Sequence, residues 1–123
     1  WLTDDFSRRT AIKCQITAYE IPEEINKNIQ TVIYRICQES LTNIMRYAVA
    51  TKVQISLVIF NKDIVLEVID NGKGITVEEI ENGKSLGIVG MKERVYFVGG
   101  TFEISGIPGK GTTIQVNIPL IKY

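Results

Sequence analysis

Ile64-Val65-Leu66-Glu67-Val68-Ile69-Asp70-Asn71-Gly72-Lys73-Gly74-Ile75 decides the fold. A run rich in Val, Ile and Leu stops at an acid and enters a turn holding Gly72 and Gly74, which reads as a strand closed by a tight turn. Just upstream, Val53 to Phe60 is a second such run, and Asn61-Lys62-Asp63 joins the two into a hairpin. Further upstream, Thr10 to Tyr19 alternates. Ile12, Cys14, Ile16 and Ala18 fall to one side and Lys13, Gln15, Thr17 and Tyr19 to the other, the period of a half-buried strand. Downstream, Thr101 to Ser105 and Thr112 to Pro119 are two more strands, linked by Gly106-Ile107-Pro108-Gly109-Lys110-Gly111. In the last, Ile114, Val116 and Ile118 alternate with Thr113, Gln115 and Asn117.

Between these strands the period becomes helical. From about Asn26 to Ala48, Ile33, Cys37, Leu41, Ile44 and Ala48 fall in an arc of about 80°, while Glu39, Asn43, Arg46 and Tyr47 fall in another of about 100°. Glu39 and Asn43 thus lie one turn apart, away from the apolar stripe. Pro22-Glu23-Glu24 reads as a helix start. Thr76 can cap a short helix through Glu79, Asn82 to Leu86 is a connector, and Ile88 to Val98 is a helix stopped by Gly99-Gly100. The order is strand, helix, two strands, short helix, loop, helix, two strands. It predicts an α+β fold, a two-layer α/β sandwich whose mixed, mostly antiparallel sheet is covered on one face by helices.

With 123 residues and 45% hydrophobic content the chain suits one domain with a core. Its 14 basic and 14 acidic residues balance, so no whole-chain field draws nucleic acid or an anionic membrane. No apolar run approaches a membrane span, no signal-peptide pattern opens the chain, and the first residue is Trp1, which suggests a piece of a longer protein. Cys14 and Cys37 form no metal-ligand spacing and read as small buried hydrophobes. The chain has no histidine, which removes Ser-His-Asp and Cys-His catalysis and any His-built zinc site.

The chemistry-bearing residues gather around the two glycine turns and the first helix. Asp70, at the end of a buried strand, reads on its own as a turn cap, but it can also accept a hydrogen bond from an exocyclic amine such as that of adenine. Gly72 and Gly74 would let a flat base approach the backbone. Gly87 and Gly90 flank a helix start, whose free N–H groups and partial positive charge suit phosphates; a plain flexible loop is the other reading. An Asn43 carbonyl can ligate Mg²⁺, Glu39 one turn earlier can hold a metal-bound water or a nucleophile, and Arg46 can meet phosphate oxygens. Alone, that helix face reads more readily as a solvated surface. Lys73, Lys84, Lys92 and Arg94 lie near the turns without a specific role. No basic stripe interleaves with aromatics, so no nucleic-acid partner is expected.

From about Ile25 to Leu120 the chain resembles the ATP-binding catalytic domain (HATPase_c) of bacterial sensor histidine kinases, of the GHKL or Bergerat-fold superfamily, in the subfamily with NarL-type response-regulator partners. Tyr34-Arg35-Ile36-Cys37-Gln38-Glu39-Ser40-Leu41-Thr42-Asn43 resembles the N box. Asp70-Asn71-Gly72-Lys73-Gly74-Ile75 resembles the G1 box, and Leu86-Gly87-Ile88-Val89-Gly90-Met91-Lys92-Glu93-Arg94 the second glycine box. Gly109-Lys110-Gly111-Thr112 resembles the last motif. The resemblance implies that Asn43 coordinates Mg²⁺, that Glu39 positions its water shell or polarises the reaction, and that Asp70 binds the adenine amine with support from Thr112. Gly72 and Gly74 would shape the adenine pocket, and Gly87 and Gly90 would hold the phosphates of ATP under a lid around Glu81 to Leu86. Tyr47 stands where the subfamily usually carries His, at a position that can touch phosphate or lid.

The implied reaction is transfer of the ATP γ-phosphoryl group to a histidine on a separate dimerisation helix, so this chain would not phosphorylate itself on histidine. Residues 1–9 resemble the linker from that phosphoacceptor module, and residues 10–123 would be the catalytic domain, monomeric without the dimerisation helices. The implied partners are that module and, through the parent protein, a NarL-type response regulator. The implied location is a cytoplasmic domain of a parent that in most of the family is anchored in the bacterial inner membrane. Two alternatives stand beside this: a nucleotide-sensing regulatory module without transfer, supported by Tyr47, and an anti-sigma-type serine kinase of the same superfamily. The Met91-Lys92-Glu93-Arg94 stretch and the upstream linker argue against the latter. A hydrolytic ATPase of that superfamily is disfavoured because no transducer domain follows the last strand.

Overall fold

A computed structural model describes residues 12–18, 25–76, 78 and 87–120. Along the chain come β1 (Lys13–Ala18), α1 (Lys27–Asn43), a π-helical turn (Ile44–Ala48), β2 (Lys52–Phe60), β3 (Asp63–Asp70), α2 (Ile88–Phe97), β4 (Thr101–Ile107) and β5 (Gly111–Pro119). The expected linker at 1–9, the helix start at Pro22, the Thr76–Glu79 cap and the connector and lid between Glu81 and Leu86 fall wholly or partly outside the described residues.

The five strands form one sheet in the order β1-β2-β3-β5-β4. β1 runs parallel to β2, and every other pair is antiparallel, which matches the mixed, mostly antiparallel sheet read from the sequence. Parallel neighbours need a crossover, and α1 with its π turn supplies it. Register puts Ile55, Val68 and Ile114 side by side, and next to them Leu57, Leu66 and Val116. Residues of this parity on β3 and β5 are buried while their alternates are half-exposed, so the helices cover one face. The fully buried Ile64, Leu66, Val116 and Ile118 of this layer each contribute about 1.5–3 kcal/mol by leaving water.

The β2–β3 hairpin is tighter than expected. Phe60 pairs with Asp63, so Asn61 and Lys62 alone make the turn, both with positive φ (51° and 66°). That left-handed pair follows the twist of antiparallel strands. The last hairpin is also longer than expected. β4 runs on through Gly106 and Ile107, which pair with Thr112 and Gly111, leaving only Pro108 to Lys110 as loop. The extension has a partner to rest on: the Gly109 N–H donates to the Lys73 carbonyl at 2.8 Å, and Gly106 lies directly against the backbone of Ile75. The hairpin tip therefore packs on the glycine turn that follows Asp70.

Helix α1 begins at an Asn26 cap, whose side chain accepts from the Asn28 N–H at 2.7 Å. Its buried face differs from the stripe predicted from the sequence. Ile29, Val32, Ile36, Ser40 and Leu41 are buried, and Ile33 and Cys37 are only half-buried. The reason is the sheet edge. Cys37 turns toward Cys14 of β1, where cover is thin: Cys14 is half-buried and Ile16, predicted to face inward, is 59% exposed. Burial and the nearby Cys14 thiol push the Cys37 thiol up to about 11. Helix α2 buries Ile88, Met91 and Val95. It ends where expected, with the Gly99 N–H on the Tyr96 carbonyl and the Gly100 N–H on the Val95 carbonyl, both at 3.0 Å, a Schellman stop.

Candidate functional site

Asp70 is the last residue of β3, and the strand's alternation turns it to the helix-covered side, where it is 6% exposed. Its carboxylate accepts the Gly72 N–H at 2.8 Å and a second backbone N–H from Thr112, its cross-strand partner on β5. The Thr112 hydroxyl in turn accepts the Ile75 N–H at 3.0 Å. Asp70, Gly72, Ile75 and Thr112 thus form one hydrogen-bonded cluster. Burial pushes the Asp70 carboxyl up, and the Gly72 and Thr112 amides pull it back down. Two bonds leave a carboxylate with spare lone pairs, so Asp70 can still accept from a ligand amine.

Glycines allow the close approach of three backbone stretches here. Gly74 is buried with φ 82° and lies against the Ile107 carbonyl. Gly111, at φ 118°, packs on the Asp70 carbonyl, and a Cβ there would also come within 3.1 Å of the Asn71 Cα. Gly111 and Asn71 were legible only as members of their motifs, without roles. A glycine immediately before the strand that answers Asp70 was the available signal for Gly111.

The second part of the site joins two helices. Glu39 and Asn43 lie one turn apart at the end of α1, both half-buried. Across from them, Gly87 caps the start of α2 with a left-handed φ of 66° and no side-chain hydrogen bond. A Cβ on Gly87 would sit 2.6 Å from Glu39 Oε1, so any side chain there would push the carboxylate aside, and the left-handed φ itself favours glycine. Gly90, in the first turn, has open space where a side chain would be. A helix start with free N–H groups beside open space suits phosphate oxygens.

Arg46 and Tyr47 need a correction. The sequence count placed them on the arc of Glu39 and Asn43, but the helix widens into a π turn from Ile44, so a count of about 100° per residue no longer holds. Arg46 is exposed on that turn, and the backbone of Tyr47 forms part of it. The turn ends at Val49 in a left-handed conformation (φ 53°, ψ 42°), from which the chain enters β2 next to Asp70, since Val53 pairs with Asp70. This return brings the end of α1 to the same end of the sheet as the Asp70 cluster.

Among the described residues no group of three or more His, Cys, Asp or Glu side chains could hold a metal ion, and no helix is long and apolar enough to cross a membrane. Asn43 and Glu39 offer oxygen donors, a set that fits Mg²⁺, which keeps waters and substrate phosphates as its other ligands.

Comparisons with known proteins identify the family and the fold. The chain is 37% identical over 120 residues to the sensor histidine kinase LiaS of Bacillus subtilis (strain 168), an alignment covering 97% of this chain and 32% of LiaS. It is 37% identical over 125 residues to the sensor protein VraS of Staphylococcus aureus (strain COL), covering 98% of this chain and 34% of VraS. The chain thus spans about a third of the length of these relatives. In fold it is similar to the histidine kinase domain of the Erythrobacter litoralis EL346 blue-light activated histidine kinase, with a TM-score of 0.82 at 22% identity over 97% of this chain and 58% of that one. It is similar also to the Acinetobacter baumannii histidine kinase AdeS, with a TM-score of 0.76 at 20% identity over 98% of this chain and 60% of that one. Residues 28–122 match the family described as histidine kinase-, DNA gyrase B-, and HSP90-like ATPase, and the chain belongs to that family of ATP-binding domains.

Proposed function

We propose that this chain is the ATP-binding catalytic domain of a two-component sensor histidine kinase, and that it presents the γ-phosphoryl group of Mg²⁺-bound ATP to a histidine on a dimerisation module. The observation that carries the reading is the buried Asp70 carboxylate, held by the Gly72 and Thr112 amides with acceptor capacity to spare. It would take the adenine amine. Gly87 and Gly90, at the start of α2, would cradle the phosphates, and Asn43 would hold Mg²⁺, with Glu39 ordering its waters. Mg²⁺ would supply charge neutralisation on the phosphates, and the residues named here position and bind. Arg46 and Tyr47, on the π turn beyond Asn43, would lie at the rim of the phosphate end.

The acceptor histidine would come from the parent protein, since this chain has none. Residues 1–9 would link the domain to that module. The similarity to LiaS and VraS supports a response regulator as downstream partner, of the NarL type in our reading, and a cytoplasmic placement for the domain. Calorimetric titration with a non-hydrolysable ATP analogue, with and without Mg²⁺, tests the proposal. Binding strengthened by Mg²⁺ is the expected result, and absence of binding under both conditions overturns it.

A further inference from the structure

We infer that Asn71 is a positioning residue that locks the adenine end of the site to the metal end. Its side chain bridges two stretches far apart in sequence. Asn71 Oδ1 accepts both the Thr51 N–H and the Lys52 N–H, each at 2.9 Å. Asn71 Nδ2 donates to the Thr51 hydroxyl, also at 2.9 Å, and the Asn71 N–H donates to the Lys52 carbonyl at 3.2 Å. The Thr51 carbonyl is fixed from the other side by the Lys13 N–H at 3.0 Å. Thr51 is therefore held on its amide, hydroxyl and carbonyl.

What Thr51 ends is the return from α1. Asn43 closes the helix, Ile44–Ala48 form the widened turn, and Val49 takes a left-handed conformation while 84% exposed. A β-branched residue in that region is strained, and it persists only where its surroundings over-determine it. Val49 has little packing to hold it, so the fixed point is the Asn71 anchor two residues on. Through that anchor, Asn71 sets where Asn43 and Arg46 stand relative to its neighbour Asp70. Losing the anchor would let the strained turn relax and carry Asn43 out of place, while the Asp70, Gly72 and Thr112 cluster stays intact.

This inference rests on the nucleotide reading above. The test is titration of the whole chain with ADP in the presence of EDTA and with the Mg²⁺-bound ATP analogue. Wild type binds both if the nucleotide reading holds, and failure of wild type to bind either removes that reading and the inference with it. Given wild-type binding, Asn71→Ala should keep metal-free ADP affinity within about twofold and lose about tenfold toward the Mg²⁺-bound analogue. Amide exchange at Thr51 and Lys52 should accelerate in the same variant. Val49→Gly, which relieves the left-handed strain, should bind like wild type alone and restore most of the Mg²⁺-dependent affinity when combined with Asn71→Ala. Equal losses toward both ligands in Asn71→Ala, an unchanged preference for the Mg²⁺-bound analogue, or no recovery in the double variant would each overturn the assignment.

Discussion

At the Asp70 end, the turn after β3 and the start of β5 hold one another by hydrogen bonds from backbone N–H groups to the Asp70 and Thr112 side chains, whereas at the Gly87 end a helix start meets a half-buried carboxylate, with open space at Gly90 among the described residues. The first is a socket that exists before any ligand arrives. The second is a gap whose shape depends on how two helices lie. The contrast suits the ligand we propose: a rigid flat base needs a fixed acceptor, and a flexible charged tail needs donors and room.

The largest expected effect is at the socket. Asp70→Asn should weaken the ATP analogue by roughly 30-fold or more, since an amide turned to the adenine amine sets a donor against a donor. Its stability effect runs the other way. Burial raises the Asp70 pKa in the fold, so folding favours the protonated form. That contribution is complete below the ordinary carboxylate range and is lost as pH rises through the folded value. At neutral pH the ionised group costs stability, so wild type should lose stability relative to Asp70→Asn as pH rises from about 3 to about 7, which paired melts across that range would read. Wild-type affinity in this variant would mean that the socket does not read adenine.

The next effect separates the two glycines of the gap. Gly87→Ala should cost about 1–2 kcal/mol of stability for its left-handed φ and also weaken phosphate binding by crowding Glu39. Gly90→Ala meets nothing in the fold, so it should stabilise α2 by a few tenths to about 1 kcal/mol, yet still weaken the Mg²⁺-bound analogue several-fold. Thermal melts with paired titrations check both. If Gly90→Ala leaves binding untouched, the phosphates do not lie against that turn. The smallest effect lies behind both ends. Ser40 Oγ is buried in α1 without a hydrogen-bond partner among the described residues, so Ser40→Ala should be neutral to about 1 kcal/mol stabilising in a chemical melt and leave affinity unchanged.

Much of this was legible from residues alone because local patterns carried it. The apolar run of β3, the alternation of β5, the glycine stop after Val98 and the Asp70-Asn71-Gly72 break each follow from composition, period or turn chemistry within a few residues. The rest depends on partners distant in sequence. Which face of α1 is buried is decided by thin cover at β1, and no helical count contains that. The π turn after Asn43 leaves no mark in composition. Asn71 looked like an ordinary turn residue because its partners, Thr51 and Lys52, reach it only once β2 and β3 are in register. Strand β4 ran past its expected end because Gly106 gains a backbone to lie on, a fact of tertiary approach.

The stop at the far end of α2 has a mechanical consequence. Gly100 closes the Schellman turn and is wedged between layers: a Cβ there would sit 2.6 Å from the Asn117 carbonyl and 2.9 Å from Val95 and Ile118. That end of the helix cannot slide. The other end is held differently: Ile88 and Met91 pin one side of the first turn in the core, while Gly90 has nothing against it. The helix is thus clamped by backbone at its base and by two apolar side chains at its start, and the side left bare is the one that our reading gives to the phosphates.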